Sequence, residues 1–368
     1  MIAVRPVLST SQLASIGCRA LVLLAMLWLA SCASPVRSQG LQPAKPPVTE
    51  GYFVMPDGTR LPYRNWMPSG QPWAVVLALH GMNDSRDAWE YPAPDLARAG
   101  IAVFAPDQRG FGTAPRRGRW AGTATMVDDA RSMAMILHER YPQSRLILMG
   151  ESMGAAVLML LGAEPDPPPV NGYVLVSPAV WGRVEMNMFL RVGLWFFSNA
   201  LPGVRVTGRT FVHVVASDNR AAILRLSADP LTIHATRWDT IRGLVDLMDD
   251  ALAAAPEFRG RALFLYGGHD QLIPTRAAAA TWRALAPAQR KAFYPAGYHL
   301  LLRDHARVTP VEDIMSWIRD PDAPLPSGAD RAAAVWLAKQ PPTPGYVLAA
   351  ESRRRTPGEA ASNKIAAR

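Results

Sequence analysis

Short apolar runs alternate with helical patterns through the middle of the chain, and this alternation limits the possible folds more than any other feature. Strands that are covered on both faces need unbroken apolar runs. Five runs meet this requirement: residues 74–79, 101–105, 146–149, 173–176 and 262–266. Helical patterns at residues 126–138 and 155–161 lie between them. The order predicts an α/β protein with a mostly parallel central sheet flanked by helices.

The alternation is interrupted between residues 180 and 255, in a segment that is too long for one crossover and rich in Met, Trp, Phe and Leu. We interpret this segment as a helical cap inserted into the sheet. A strand pattern returns at residues 291–294 and a helical pattern at residues 311–318, with a last helical pattern at residues 329–339. Near the start, Asp57-Gly58 between two short runs predicts a hairpin turn.

The N-terminal segment has the proportions of a secretory signal peptide. Arg5 and Arg19 precede an uncharged stretch at residues 20–30, which is shorter than the roughly 20 residues needed to span a bilayer. Leu29-Ala30-Ser31-Cys32 follows and resembles the lipobox of bacterial lipoproteins, in which the cysteine is lipidated and becomes the mature N-terminus. The alternative is an ordinary cleaved signal peptide with a chance cysteine.

Cysteine usage favours the lipidated form. The other cysteine, Cys18, would be removed with the signal peptide, so Cys32 would have no partner for an internal disulfide. Acyl chains on Cys32 would anchor the protein, at about 0.8 kcal/mol per buried CH₂. Ala33 and Ser34 lack the aspartate that bacterial lipoproteins use for retention at the inner membrane. The resemblance therefore implies a lipid-anchored protein of the cell envelope, at the outer membrane and facing the periplasm.

The composition indicates that the chain is not disordered over its whole length, because 49% of the residues are hydrophobic and 19% are charged, as in ordinary globular proteins. A net charge of +9 can indicate nucleic-acid binding. Here most of the charges are scattered along the chain and one cluster lies near the C-terminus, so no nucleic-acid partner is predicted. The charge distribution fits either of two interpretations: a soluble basic protein with a solvated tail, or a protein that is attracted to anionic lipid headgroups. The residue patterns predict no metal and no cofactor, and they are silent on oligomeric state.

The predicted organisation has six parts. They are a lipoprotein signal peptide at residues 1–31, a tether at 32–50, the first part of the core at 51–179, the cap at 180–255, the second part of the core at 256–320, and a partly disordered tail rich in Pro, Ala and Arg at 321–368. The tether is polar and proline-rich, a composition that is typical of extended linkers.

The run Gly150-Glu151-Ser152-Met153-Gly154 lies between a predicted strand and a predicted helix. A serine exposed at a sharp strand-to-helix turn is the arrangement of a nucleophile elbow, which needs small residues on either side. The five-residue pattern alone is common, and a glycine-rich turn with an incidental serine is the alternative. The flanking strand and helix favour Ser152 as a catalytic nucleophile.

A serine nucleophile needs a base and an orienting acid, and in this architecture they follow it in the order serine, acid, histidine. His299 is the histidine that comes directly after a late strand, which favours it over His305 and His269. Asp270 follows the preceding strand and is the predicted acid, with a turn aspartate as the alternative. The predicted catalytic residues are therefore Ser152, Asp270 and His299.

The run His80-Gly81-Met82-Asn83 follows a strand and resembles an oxyanion loop, with the backbone N–H groups of Met82 and Met153 as donors. Many lipases carry further glycines here, whereas Met82 and Asn83 are larger. We interpret His80 as a packing residue that braces the loop. Residues 107–112, Asp-Gln-Arg-Gly-Phe-Gly, are interpreted as a structural loop beside the site.

These motifs together resemble the monoacylglycerol lipase and lysophospholipase branch of the α/β-hydrolases, among the serine aminopeptidase S33-type hydrolases. The resemblance covers roughly residues 55–319, and Ser177-Pro178 and Asp229-Pro230-Leu231 point to this branch. It implies an α/β-hydrolase fold with a cap over an apolar channel. Phe189, Leu194 and Phe197 are the candidate substrate-binding residues of the cap, and simple packing of their helix on the core is the alternative.

The resemblance implies a serine hydrolase that cleaves carboxylic esters of lipid type, monoacylglycerol or lysophospholipid, through an acyl-enzyme intermediate. The implied partners are a lipid-like ester and the membrane that holds the anchor. Other activities remain open, since the same triad would serve a carboxylesterase, a thioesterase or a peptidase. An alternative without catalysis is a lipoprotein that uses the fold to bind lipid.

Overall fold

The computed structural model describes residues 48–207 and 214–346, so the predicted signal peptide and Cys32 lie outside the described residues. An eight-stranded sheet with strand order β1-β2-β4-β3-β5-β6-β9-β10 forms the centre of the molecule. Its strands are β1 (Val48–Val54), β2 (Arg60–Trp66), β3 (Ala74–Leu79), β4 (Ile101–Pro106), β5 (Arg145–Glu151), β6 (Gly172–Val176), β9 (Ala262–Gly267) and β10 (Arg290–Tyr294). β7 (Arg205–Val206) and β8 (Thr236–Arg237) pair separately within the cap region.

Nine α-helices lie among these strands in the described part of the chain. They are α1 (Ala93–Arg98), α2 (Thr123–Arg140), α3 (Met153–Ala163), α4 (Met188–Ala200), α5 (Arg220–Ala228), α6 (Trp238–Ala254), α7 (Thr275–Ala284), α8 (Val308–Arg319) and α9 (Ala329–Ala338). Four short 3₁₀ turns occur in the described ranges, at Arg86–Trp89, Gly182–Glu185, Ala255–Glu257 and Leu301–Arg303. No helix within the described ranges is both long and apolar enough to cross a membrane.

The unbroken apolar strands are buried on both faces because alternate side chains point to opposite sides of the sheet. In β3, Val75, Leu77 and Leu79 enter one core and Val76 enters the other. The first core packs against α2, α3 and α6, whereas α1 and α8 contribute to the second. Within this sheet, β3, β4, β5, β6, β9 and β10 pair with one another in parallel. The predicted fold class, a mostly parallel sheet flanked by helices, is therefore confirmed.

The predicted hairpin is present at the antiparallel edge of the sheet. β1 pairs with β2, and the turn between them contains Gly58 at a φ of 78°. That left-handed conformation suits glycine, and the Asp57 carboxylate accepts a hydrogen bond from the Thr59 N–H at 2.9 Å. β2 in turn pairs antiparallel with β4.

The parallel register brings the predicted motifs to one edge of the sheet. Leu79, the last residue of β3, pairs with Gly150 of β5, and Glu151 pairs with Val176 of β6. β9 and β10 end at the same edge. Since loops that follow parallel strands meet at the carboxyl edge, this edge contains the predicted oxyanion loop at residues 80–83, the serine turn and the loops of Asp270 and His299.

The segment between β6 and β9 divides into an outer and an inner part. α4, α5 and the β7–β8 pair form the outer part and contain few buried residues. α6 packs on α3 and buries Leu247, Met248 and Ala251 in the first core. The last helix of the range 180–255 is thus a flanking helix of the sheet.

The helix α9 also belongs to the folded body. It packs on the edge strand β10, and the Trp336 ring stacks on Phe293 at 4.9 Å between centroids. Trp336 also makes an edge contact with Trp282 at 5.0 Å. The helical pattern at residues 329–339 therefore corresponds to a helix, and that helix covers an aromatic surface.

Candidate active site

Ser152 lies between β5 and α3 in a strained backbone conformation, with φ 53° and ψ −112°. Non-glycine residues with positive φ are uncommon, and such strain at a strand end is held by its surroundings. Here the Ser152 N–H donates to the Val176 carbonyl at 2.9 Å, and the Ser152 carbonyl accepts from the Ala156 and Ala179 N–H groups. The turn is therefore fixed on both sides, as a nucleophile elbow requires.

The glycines on either side of Ser152 are explained by close backbone approach. A Cβ on Gly150 would lie 2.5 Å from the Ala155 nitrogen, and a Cβ on Gly154 would lie 2.3 Å from the Leu79 carbonyl oxygen. Both distances are too short for any side chain. The motif therefore reflects a packing requirement of this turn.

His299 and Asp270 meet as the sequence predicts. His299 Nδ1 lies 2.8 Å from Asp270 Oδ2, and both side chains are buried. The other Asp270 oxygen accepts hydrogen bonds from the Leu272 and Ile273 N–H groups at 2.8 and 2.9 Å. An aspartate fixed in this way holds the imidazole with its Nδ1 proton toward the carboxylate and leaves Nε2 free to accept a proton.

The electrostatics favour the charged form of His299. Burial lowers its pKa, but the charge and hydrogen bond of Asp270, together with the charge of Glu151, outweigh burial and raise the pKa above the ordinary value. Glu151 is the residue directly before Ser152. The Glu151 side chain thus links the serine turn electrostatically to the histidine.

The oxyanion loop lies directly against the serine. A Cβ on Gly81 would come within 3.4 Å of the Ser152 Cβ. Met82, the predicted donor, is the next residue along the chain. Met153 is the first residue of α3, and its N–H therefore has no carbonyl one turn earlier in the helix. Asn83, at a φ of 63°, is fastened to the cap, because its carbonyl accepts from the Ile233 N–H at 2.8 Å.

His80 braces this loop. It is fully buried, its Nε2 accepts from the Gln108 N–H at 3.1 Å, and its Nδ1 lies 2.8 Å from the Gly81 carbonyl oxygen. Burial lowers the pKa of His80, so the ring is held neutral with its proton on Nδ1. The geometry supports the interpretation of His80 as a packing residue.

The loop at residues 107–112 holds its neighbours through charged side chains. Asp107 accepts hydrogen bonds from the Arg86 backbone N–H at 2.8 Å and from its guanidinium at 2.6 Å. Arg109 pairs with Asp129 of α2 at 2.8 Å and with Asp57 of the hairpin at 2.7 Å. These contacts are structural.

A buried group of three charged residues was missed by the sequence analysis. Arg303 donates to Asp84 and, at 3.1 Å, to Glu151, and we call these three residues the Arg303 cluster. Asp84 directly follows the run at residues 80–83, Glu151 lies within the run at residues 150–154, and Arg303 comes four residues after His299, but sequence spacing does not connect positions so far apart. A charged residue within or near each motif is the signal that could have drawn attention to them.

The three candidate residues of the cap differ in their surroundings. Phe189 is 81% exposed, Leu194 is buried in the first core, and Phe197 stacks on Trp238 at 4.9 Å. They do not share one surface.

Comparison with known proteins identifies the family. The model of the serine aminopeptidase S33 hydrolases matches residues 70–306, well over half of the chain. The chain belongs to the serine aminopeptidase S33 family. Of the residues above, the S33 match includes all three predicted catalytic positions and the Arg303 cluster.

Relatives of this S33 hydrolase include monoacylglycerol lipases. A monoglyceride lipase of Rattus norvegicus is 28% identical over 274 residues, which cover 73% of this chain and 89% of the lipase. A monoacylglycerol lipase of Mycolicibacterium smegmatis is 26% identical over 273 residues, covering 73% and 96%. The crystal structure of a monoacylglycerol lipase of Paleococcus ferrophilus has a TM-score of 0.58 at 20% identity, covering 70% of this chain and 98% of that one. The last likeness shows the α/β-hydrolase fold.

Proposed function

We propose that this S33 hydrolase cleaves carboxylic esters of lipid type, with monoacylglycerols or lysophospholipids as the substrate class. The observation that carries the proposal is the serine held in a strained turn against the oxyanion loop, at the same sheet edge as a buried histidine–aspartate pair. Serine, base and acid are the groups that acyl transfer requires.

The reaction follows from these groups. Ser152 Oγ attacks the ester carbonyl while His299 Nε2 takes its proton, and Asp270 stabilises the imidazolium that forms. The negative charge on the carbonyl oxygen is stabilised by the N–H groups of Met82 and Met153, the second at the positive end of α3. His299 returns the proton to the leaving alcohol. Water then attacks the acyl-enzyme carbonyl while His299 takes its proton. The bond between the acyl carbon and Ser152 Oγ breaks, His299 returns the proton to Oγ, and the carboxylic acid is released.

Two observations support a lipid-type substrate. The relatives described above carry the names of monoacylglycerol or monoglyceride lipases. In addition, α4 exposes large apolar side chains to an unusual degree. Those exposed by more than two fifths are Met188, Phe189, Leu190, Val192, Trp195 and Phe196. A contiguous apolar surface of this kind is typical of contact with lipid.

A substrate panel tests the proposal. Full-length protein in detergent is assayed on monoacylglycerols and lysophospholipids of graded chain length, on short nitrophenyl esters, and on aminoacyl anilides. We expect the highest kcat/KM on an ester with a medium or long acyl chain, together with labelling by a fluorophosphonate. Preference for the anilide would establish a peptidase instead. Absence of both turnover and labelling would favour a non-catalytic binding protein.

We expect the pH dependence of hydrolysis to reflect the raised pKa of His299. The base must be neutral, so activity is lost as pH falls through that pKa, and a raised pKa moves the loss to higher pH. The acid limb of kcat/KM should therefore have its midpoint above the ordinary histidine value of 6.5. Rates on a substrate without an ionisable group measure this, and a midpoint below that value would contradict the electrostatic account.

We also propose that Cys32 anchors the protein to the membrane of the cell envelope, at the outer membrane and facing the periplasm. The support is the lipobox-like sequence before Cys32. We expect the Cys32→Ala protein to leave the membrane fraction at high salt, whereas wild type stays sedimented. Salt removes electrostatic attachment but leaves acyl chains in place. A variant that still sediments would refute lipidation as the main attachment.

A further inference from the structure

The Arg303 cluster joins three loops that the proposed mechanism uses separately. Asp84 belongs to the loop of Met82, Glu151 precedes the nucleophilic serine, and Arg303 lies in the 3₁₀ turn shortly after His299. One nitrogen, Nη2 of Arg303, donates to Oδ2 of Asp84 and to Oε1 of Glu151. The cluster thus connects the three loops through a single guanidinium group.

The cluster lies against the loop that carries Met82, close to the serine turn. A Cβ on Gly81 would be 3.7 Å from Oε1 of Glu151 and 3.4 Å from the Cβ of Ser152. The Glu151 carboxylate therefore lies beneath the oxyanion loop, on the side where that loop meets the serine. In such close packing, a displacement of one loop displaces the others.

Charge and burial hold the cluster in one arrangement. The exposed fractions of Arg303, Asp84 and Glu151 are 3%, 6% and 2%. A buried carboxylate without a cationic partner is strongly unfavourable, so alternative positions of any of the three loops are penalised. The second oxygen of Asp84 accepts the Ser85 N–H at 2.8 Å, which fixes the carboxylate to its own loop.

We infer that Arg303 is a positioning residue, which holds the oxyanion loop and the serine turn at the mutual distance that ester attack requires. This inference rests on the proposed hydrolase function. Arg303 does not contact a reacting atom in the mechanism above. It acts through Asp84 on the donor loop and through Glu151 on the nucleophile.

Arg303→Lys tests the inference, because lysine keeps the positive charge but ends in a compact ammonium on a flexible stem, whose donors have no fixed direction, in place of the rigid planar group that holds Nη2 between the two carboxylates. We expect kcat to fall about ten- to hundredfold, since small misplacement of reacting groups has effects of that size. KM should change little, because the lost interaction acts on the transition state. The matched control is Arg109→Lys, since Arg109 is also a buried arginine that pairs with two carboxylates, those of Asp57 and Asp129. We expect Arg109→Lys to keep the wild-type kcat.

A double-mutant cycle tests the connection between the two loops. Glu151→Gln and Asp84→Asn each leave Arg303 with one carboxylate, and both keep an oxygen that can accept from Nη2, so the double variant does not bury the guanidinium without an acceptor. If Arg303 joins the loops, the combined loss in kcat will be clearly smaller than the product of the two single losses. Independent, multiplicative losses would overturn the inference even if each single change lowers activity.

Hydrogen exchange separates this inference from the proposed function, because it requires no turnover. We expect faster amide exchange at residues 80–84 and at residues 150–154 in Arg303→Lys, and wild-type exchange at both in Arg109→Lys. Unchanged exchange at these two loops in Arg303→Lys would overturn the positioning role. A wild-type protein without activity on the substrate panel would instead overturn the proposed hydrolase function, and the exchange result would still decide whether Arg303 holds the loops.

Discussion

Replacing Ser152 with alanine is expected to lower kcat/KM by roughly four to six orders of magnitude and to abolish labelling by a fluorophosphonate. The hydroxyl is the atom that forms the acyl-enzyme, and no other group in the proposed mechanism can take its place. Ser152→Ala should unfold at nearly the wild-type temperature, because the change removes one oxygen from a half-buried side chain. Retained activity on the preferred ester would exclude Ser152 as the nucleophile.

Ser152→Gly is the matched variant for the strained backbone. Both changes remove the hydroxyl, but only glycine adopts a φ of 53° without strain. Strain of this kind costs about 1–3 kcal/mol, and glycine loses about 0.5–1 kcal/mol through its freer unfolded chain. We expect Ser152→Gly to exceed Ser152→Ala in free energy of unfolding by about 1 kcal/mol, measured by urea denaturation. A Ser152→Gly protein that is less stable than Ser152→Ala by about 0.5–1 kcal/mol would show that the elbow stores no strain, because only the entropic loss of glycine would then remain.

The second large effect is expected from Gly154→Ala. The added methyl would overlap the carbonyl oxygens of Leu79 and His80, at 2.3 and 2.8 Å, and backbone atoms cannot move aside as a flexible side chain can. We expect a loss of about 3 kcal/mol in the free energy of unfolding. Displacement of the oxyanion loop should also lower kcat/KM about a hundredfold. Urea denaturation and steady-state kinetics measure the two effects.

Gly193→Ala is the control for this change. Gly193 lies within α4, and nothing is within 4 Å of its added methyl. Alanine favours helix over glycine by about 0.5–1 kcal/mol, so this variant should be slightly more stable than wild type and equally active. If Gly154→Ala resembled Gly193→Ala, the close-packed account of the elbow would be wrong.

The sheet could be predicted because its physical signal is local. A strand buried on both faces must be apolar at every position, and β3 and β9 satisfy this requirement in the sequence itself. The positions of Ser152, Asp270 and His299 followed from the same signal, since the ends of parallel strands meet at one edge. The geometry of the histidine–aspartate pair agrees with that reasoning.

Features that depend on contacts between distant segments could not be predicted in this way. The link from Arg303 to Asp84 spans most of the domain, and no periodicity in the sequence records it. The same holds for α6, whose apolar face resembles that of a cap helix although it packs on α3. Local patterns identify an amphipathic helix, but they do not specify which surface it covers.

The position of α9 determines where the chain can be truncated or fused to another protein. The family match stops at residue 306, yet Trp336 covers Phe293 and Trp282, and the Tyr346 hydroxyl reaches Glu185 near the start of the cap region. A chain cut at the family boundary would expose these rings, which invites self-association. Protein engineers who wish to crystallise, tag or transplant the hydrolase should therefore retain the chain through residue 346.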